Sequence, residues 1–354
     1  MKFERFHPGK RCFFARFCRI LAKRTQVFIC LVVLVSGNIL NSQGLSLVDL
    51  NELENPGYLV ASKDFFVIED NQNVKLYSMK GFNLIKTIGR RGEGPGEFKS
   101  FAFPQILPDS IMISSPNKVS FFNFSGELLT EKKTKLSRYR IRKIGNKYIG
   151  DAVQRGKDDF YLAYIIYDSE FSKIKEFYKG KWVRHKDGRR DLFEIYFFDV
   201  YDNKIIFAHR TGFNIEILND KGDNLHKIKL NPPRIPFNDK DMDNILKDMM
   251  INTKEKNFVQ YIKTKSIKPD YFPDIRKCLV ANDKIYVLTY LKKNRQTECY
   301  IFNMKGQQLK RIFIPLRDTS PIVMPPFTIT NGHLYQLIEN EKKEQWQLVV
   351  DKIE

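Results

Sequence analysis

Six times along this chain an apolar run, a tight polar turn and a second apolar run follow one another. The turns are Ser62-Lys63-Asp64, Pro108-Asp109-Ser110, Gly145-Asn146-Lys147, Asp202-Asn203-Lys204, Asn282-Asp283-Lys284 and Asn331-Gly332-His333. Each leads into a β-rich stretch such as Phe65-Phe66-Val67-Ile68, Ile205-Ile206-Phe207 or Ile285-Tyr286-Val287-Leu288. A unit of four short strands repeated every roughly 40 to 50 residues specifies an all-β propeller. That architecture hosts binding, scaffolding and catalysis alike, so it fixes the fold and leaves the function open.

The strand pattern divides into six blades. Blade 1 is expected to use residues 58–61, 65–68, 74–77 and 84–88, and blade 2 residues 103–107, 111–114, 119–124 and 128–134. Blades 3, 4 and 5 run over about residues 140–178, 193–230 and 275–314. The turn between the third and fourth strands also repeats, as Met79-Lys80-Gly81, Phe124-Ser125-Gly126, Asn219-Asp220-Lys221-Gly222 and Asn303-Met304-Lys305-Gly306; blade 3 has Asp168-Ser169-Glu170 instead. The last unit offers three strands, at 327–330, 334–338 and 346–352. The alternating segment Leu45-Ser46-Leu47-Val48-Asp49 is expected to supply the fourth and to hide an edge that would otherwise template aggregation. Between blades 4 and 5 an insertion at about 232–274 opens with Pro232, Pro233 and Pro236. It is expected to hold two helices, one capped by Asn238 or Asp239 and running through Met250, the other from 254 to 267, both packed on the propeller rim.

The N-terminus reads as a targeting segment. Of the formal charge of +19, +7 falls in residues 1–26 and +12 in the rest. The uncharged run 27–42 follows, apolar from Val27 to Val35 and then small and polar. This is the order of a secretory signal, with a long basic n-region over a segment of 1–42 and the propeller over 43–354. A retained signal anchor is the alternative, although the apolar run is shorter than the roughly 20 residues of a membrane-spanning helix. The expected location is periplasmic or extracellular, with no transmembrane helix in the mature chain, which is expected to be a monomer. Beyond the segment only Cys278 and Cys299 remain. They fall on the first and third strands of blade 5, about 10 Å apart by strand spacing, and are expected to be two buried thiols.

One local motif stands out: Ile88-Gly89-Arg90-Arg91-Gly92-Glu93-Gly94-Pro95-Gly96-Glu97-Phe98, followed by Pro104. It links the outer strand of blade 1 to the inner strand of blade 2. With its glycine turn, aromatic and proline, it resembles the inter-blade loop of NHL-repeat and TolB-like propellers, and of the related exported bacterial six-bladed proteins. Asp70-Asn71-Gln72-Asn73-Val74 and Pro116-Asn117-Lys118-Val119 are similar to the turn between second and third strands in that family. The resemblance is sharp over residues 60–130 and architectural over 45–354. It implies an exported binding or scaffold protein. Gly92, Gly94, Pro95, Gly96 and Phe98 suit a structural loop: the glycines allow a tight path, Pro95 stiffens it and Phe98 plugs between blades. A strand follows the loop instead of the helix that a phosphate cradle needs.

Signals of catalysis are sparse. His185, His209, His226 and His333 show no metal-ligand spacing, and Gly-x-Ser-x-Gly is absent. No catalytic residue, metal or cofactor is assigned. The loops that join blades and the loops between second and third strands share one face of a propeller. Here they carry Arg90, Arg91, Arg184, His209 and Arg210, with Arg155, Lys157, Arg189, Arg190, Lys292, Lys293 and Arg295, against a smaller set of acids. The five residues named first are the candidate ligand-binding residues, for an anionic partner such as a glycan, a lipid headgroup or a protein segment. The alternative is a metal-dependent hydrolase or lactonase using inward Asp, Asn or Glu at the central channel. Nucleic acid fits poorly, because the cations are dispersed with no aromatic-basic motif. Edman sequencing of the protein recovered from the envelope fraction should begin between Asn38 and Leu45; recovery of a membrane-held product retaining Cys30 would favour the anchor.

Overall fold

The computed structural model describes residues 46–354, apart from 135, 137–139, 158, 195, 253–255 and 319–323. The expected signal segment lies outside the described residues. Six antiparallel four-stranded sheets are arranged as the blades of a propeller, five of them in simple chain order and the sixth completed by the N-terminal strand. Blade 1 comprises Pro56–Ala61, Phe65–Asp70, Asn73–Ser78 and Leu84–Ile88. The first strand of each blade is innermost. These inner strands are Pro56–Ala61, Phe103–Ile106, Arg142–Ile144, Tyr196–Tyr201, Lys277–Ala281 and Phe327–Thr330.

Burial follows from this layering. The second and third strands are sandwiched between neighbouring blades, so their apolar residues run on without strict alternation, as in Ile205 to Ala208, all fully buried. The fourth strands face solvent; Leu84 to Thr87 are exposed and only Ile88 is buried. Turn chemistry sets the hairpins. Asn282 and Asp283 both take positive φ (50° and 58°), as do Asp202 and Asn203 (44° and 53°), the primed geometry that matches strand twist. Between third and fourth strands the left-handed residue is glycine in four blades. In blade 3 it is Phe171 (φ 63°), whose ring stacks on Tyr148 with centroids 4.4 Å apart.

The ring is closed as the alternation of 45–50 implies. Ser46–Leu50 forms the outer strand of blade 6, antiparallel to Gln345–Lys352, in register from Ser46 opposite Val350 to Leu50 opposite Trp346. Leu50 and Leu53 sit in a cluster with Leu59, Phe66, Ile68, Tyr77, Leu337 and Leu348, so the closing segment joins the cores of blades 6 and 1. The Asp70 carboxylate, fully buried, accepts N–H bonds from Glu54 (3.1 Å) and Asn55 (2.6 Å) and faces Lys75 at 3.4 Å, which fixes the path into blade 1. At the next junction Phe98 is buried against Phe122, their rings 6.3 Å apart. Gly89, at φ 71°, lets the loop pass over it; a Cβ there would stand 2.8 Å from the Gly96 carbonyl oxygen.

The insertion carries helix α1, Asp239–Asn252, and helix α2, Lys256–Lys265. Asn238 caps α1 through a reciprocal box: its side chain accepts from Asp241 N (3.1 Å) and Asp241 accepts from Asn238 N (2.9 Å). Ile245 and Ile262 share a small core with Phe237, Phe272, Leu192 and Phe193, with Tyr290 of blade 5 against it. Ser266–Ile267 pairs in parallel with Arg190–Asp191 from the loop between blades 3 and 4. The insertion is thus built onto the loop face, above blades 4 and 5. Cys278 and Cys299 are both buried free thiols.

Leu50→Ala should cost about 2–4 kcal/mol of unfolding free energy in urea, because the cavity opens in a core shared by two blades. Leu47→Ala, at a side chain 56% exposed, should stay within about 0.5 kcal/mol. Equal effects would mean that the closing strand contributes backbone pairing alone.

Candidate anion site at the mouth of the central channel

The cationic loop residues separate once the chain is folded. Arg90 is exposed and its Nε lies 2.6 Å from Glu97 Oε1, while Glu97 also accepts from Gly94 N at 2.9 Å. Arg90 therefore braces the glycine loop. Arg91 is exposed beside it. Arg184, at the junction of blades 3 and 4, lies over the Trp182 ring at 5.4 Å. Its neighbour His185 is held between Asp159 (Nδ1 to Oδ2, 3.3 Å) and Asp191 (Nε2 to Oδ1, 3.3 Å).

His209 ends the second strand of blade 4 and turns away from the channel into an aromatic cage between blades 3 and 4. Its ring meets Tyr178 at 4.8 Å, Phe207 at 5.1 Å and Tyr196 at 5.3 Å. Burial pushes the imidazole below the ordinary histidine value, against the pull of Glu216. His209 is therefore a neutral ring at pH 7 and offers no charge to an anion. Arg210 is spent on the fold. It donates to Glu194 O (2.9 Å), Ile275 O (2.9 Å), Arg276 O (3.3 Å) and Tyr290 Oη (2.7 Å), clasping the end of the insertion to blade 4.

The side chains that do converge lie on the inner strands. Tyr58 of blade 1, Arg142 of blade 3 and Asp199 of blade 4 meet there, and Lys277 of blade 5 and Arg140, just before the blade 3 strand, are close enough to act on the Tyr58 phenol. Arg142 spans the channel: Nη2 donates to Tyr58 Oη at 2.8 Å and Nε lies 3.4 Å from Asp199 Oδ1. Its guanidinium also lies over the Tyr58 ring, 5.8 Å from the centroid, and Phe103 of blade 2 meets that ring edge-on at 5.6 Å. Gln105 ties the inner strands of blades 2 and 3, donating to Lys143 O (3.0 Å) and accepting from Lys143 N (2.8 Å). Tyr58, Arg142 and Lys277 stand early in their strands. Each inner strand begins at the loop face, so the cluster lies at that end of the channel.

Arg140 and Lys277 make no hydrogen bond or ion pair among the described residues. Both are partly buried. Burial pushes the Lys277 ammonium below the ordinary lysine value. Burial opposes the Arg140 charge too, but the Tyr58 oxygen with the Glu194 and Asp151 carboxylates outweighs it and leaves its pKa raised. Burial would raise the Tyr58 phenol; Arg142, then Lys277, overcome it and leave it below the ordinary tyrosine value. A buried phenol made more acidic by its surroundings reports a positive potential at that point. Unpaired cations held inside a protein are costly unless an anion or water meets them, and guanidinium groups suit carboxylate and phosphate. For a metal-dependent hydrolase the channel would need converging carboxylates. Among the described residues no group of three His, Cys, Asp or Glu is placed to hold a metal ion.

Neither a family model nor a curated protein matches this chain. Among solved structures, a Bacteroides fragilis protein named as exported aligns with a TM-score of 0.54 at 14% identity, over 88% of this chain and 95% of its own. A duf4221-family member from Bacteroides vulgatus aligns at 0.49 and 11% identity, over 88% and 96%. The first likeness is one of fold: both chains are propellers of the same extent.

In the sequence Arg140, Arg142 and Lys277 are inconspicuous, because they sit in the runs Arg138-Tyr139-Arg140-Ile141-Arg142-Lys143 and Arg276-Lys277, which resemble solvated surface. The one available signal was their place at the start of inner strands. His209 predicts a specific pH response. A base held below its ordinary value destabilises the fold as pH falls through the unfolded value of 6.5, since the unfolded chain takes up the proton first. His209→Phe keeps an aromatic ring in the cage and should flatten that acid limb in thermal unfolding between pH 7 and 5; an unchanged slope would place the limb elsewhere.

Proposed function

We propose that this chain is an exported, non-catalytic binding propeller that receives the anionic group of its ligand at the loop-face mouth of the central channel. The observation that carries this reading is the pair of unpartnered cations, Arg140 and Lys277, beside Tyr58 and Arg142. Arg90, Arg91 and Arg184 stand outside that mouth as exposed charges that draw an anion in. Export rests on the basic-then-apolar N-terminus and accords with the exported Bacteroides fragilis protein of the same fold. The resemblance to NHL-like propellers belongs to the same reading: the glycine loop ending in Phe98 is the shared feature. The binding role follows from residues whose charge the fold leaves unused.

The test is an anion titration at constant ionic strength, with inorganic phosphate as the probe. A ligand at twenty times its Kd stabilises the folded state by about 2 kcal/mol, which a thermal shift resolves. The wild type should show that shift. The double variant Arg140→Gln/Lys277→Gln should lose at least tenfold in affinity, and Arg90→Gln/Arg184→Gln should lose less than about threefold. Equal losses from both pairs would mean that net charge alone attracts the anion.

A further inference from the structure

The outer strands of the six blades can be compared with one another, because each has no further strand beside it among the described residues. In blades 1 to 5 that strand is interrupted at one and the same place. Its second residue, Ile85, Leu129, Ile174, Leu225 or Leu309, bulges out of the ladder with the third strand. The bulged residue is always aliphatic and between 42% and 56% exposed. The same five strands carry exposed cations, among them Lys86, Lys133, Lys175, Lys229 and Lys310. A bulge twists an edge away from an incoming strand, and a lysine resists being laid against another sheet, so these five edges are closed to further pairing. Blade 6 differs on both counts. Ser46–Leu50 pairs with Gln345–Lys352 without a shift, from Ser46 opposite Val350 to Leu50 opposite Trp346, and contains no cation. Its one charge, Asp49, accepts from Gln347 (2.5 Å) and Lys343 (3.3 Å). We infer that this edge docks a second copy of the chain, the two Ser46–Leu50 strands pairing antiparallel about a two-fold axis.

Two features select a second copy as the occupant. An antiparallel edge is its own complement, since a two-fold rotation presents the same row of N–H and C=O groups to itself. The second is charge. Beyond its N-terminal segment the chain carries +12, and copies that meet along any of the other five edges set exposed cations against one another. Blade 6 is the outer strand at which two such chains approach without that repulsion. The pleat then fixes the register, because facing residues of an antiparallel pair point to the same side of the sheet. The register that uses all five residues sets Val48 against its own copy, Leu47 against Asp49 and Ser46 against Leu50. Leu47, 56% exposed in the single chain, is thereby brought over the neighbouring strand. This dimer stands in place of the monomer expected from the sequence, and it is independent of the channel site. Five residues make a short ladder, so association is weak, with a Kd of about 10–100 μM.

Sedimentation equilibrium of the mature protein at concentrations on either side of that Kd tests the docking. The wild type should pass reversibly from monomer to dimer as concentration rises. Like charges directly opposite one another weaken an antiparallel pair and opposite charges strengthen it, so the facing of Leu47 and Asp49 gives the register a signature. Leu47→Asp should raise the Kd at least fivefold, by setting a carboxylate against Asp49 of the other copy. Leu47→Lys should hold the dimer at wild-type strength or tighten it, although it adds a cation to the edge. Leu225→Asp, on a bulged edge, should leave the Kd within about twofold. A wild type that stays monomeric throughout the range overturns the inference, whatever the variants do. So does a dimer that Leu47→Asp leaves unchanged, the result expected if the copies exchange their closing strands or meet elsewhere. Equal weakening by Leu47→Asp and Leu47→Lys would overturn the antiparallel register and leave only an apolar contact through Leu47.

Discussion

Everything in this molecule that involves more than one blade depends on a single hydrogen-bonded ladder, the pairing of Ser46–Leu50 with Gln345–Lys352. Within a blade, strands hold one another through local hairpins. Around the ring, neighbouring sheets meet mainly through side chains packed face to face, with isolated ties such as Gln105 to Lys143, and an open ring of such sheets can splay. The ladder turns a row of blades into a closed circle, and Leu50 and Leu53 sink into the same core as residues of blades 1 and 6. Closure then brings inner strands far apart in sequence to one axis. Tyr58 and Arg142, 84 positions apart, meet at 2.8 Å only because the circle is complete.

The axis of this circle is electrostatically unusual. Arg142 is nearly buried and well matched, with a phenol oxygen on one side and a carboxylate on the other, as a charge removed from water requires. Arg140 and Lys277 have no such side-chain partners among the described residues: Arg142, then Lys277, pull the Tyr58 phenol below its ordinary value, while the Tyr58 oxygen with the Glu194 and Asp151 carboxylates supports the Arg140 charge at longer range. Contrast Arg276, next in sequence to Lys277: it is fully buried with Asp318 at 2.5 Å. Adjacent cations at the start of one strand thus differ, Arg276 consumed by a buried ion pair and Lys277 with no ion pair among the described residues. Arg210, one of the five candidate ligand-binding residues of the loop face, belongs with the consumed group.

The fold was legible in the sequence because its signals are local. Turn pairs such as Asn282-Asp283 and the β-rich runs between them are each readable within ten residues, and the ends of the strands expected in blades 1 and 2 fall within two positions of those observed, longer for Phe65–Asp70 and shorter for Lys118–Phe122. Helix α1 was legible from its apolar side and from a cap at Asn238 or Asp239; the structure selects Asn238 and adds the reciprocal bonds with Asp241. The candidate site was not legible, for a reason equally physical. Whether an arginine is a ligand or a clasp depends on which acceptors stand around it, and those come from distant strands. Arg210 meets carbonyls of Glu194, Ile275 and Arg276, up to 66 positions away. His209 looked like a residue at a channel loop, yet its alternation along the second strand of blade 4 turns it into a cage made with blade 3. Only Arg90, braced by Glu97 seven residues on, has a role that its own neighbourhood could have revealed.

The closing ladder also dictates an order of events. Gln347 bonds Asp49 across 298 positions of chain, so the strand made first is bonded last. Until then blades 1 to 5 can fold one after another on local contacts, while the third strand of blade 6 keeps an open edge. Loop-closure entropy must be met before that long-range contact returns anything, which makes the final step slow. A newly made chain therefore passes through a state that is almost wholly folded and still adhesive along one edge. Its exposure to aggregation is governed by the time the N-terminal strand takes to arrive more than by the stability of the finished ring.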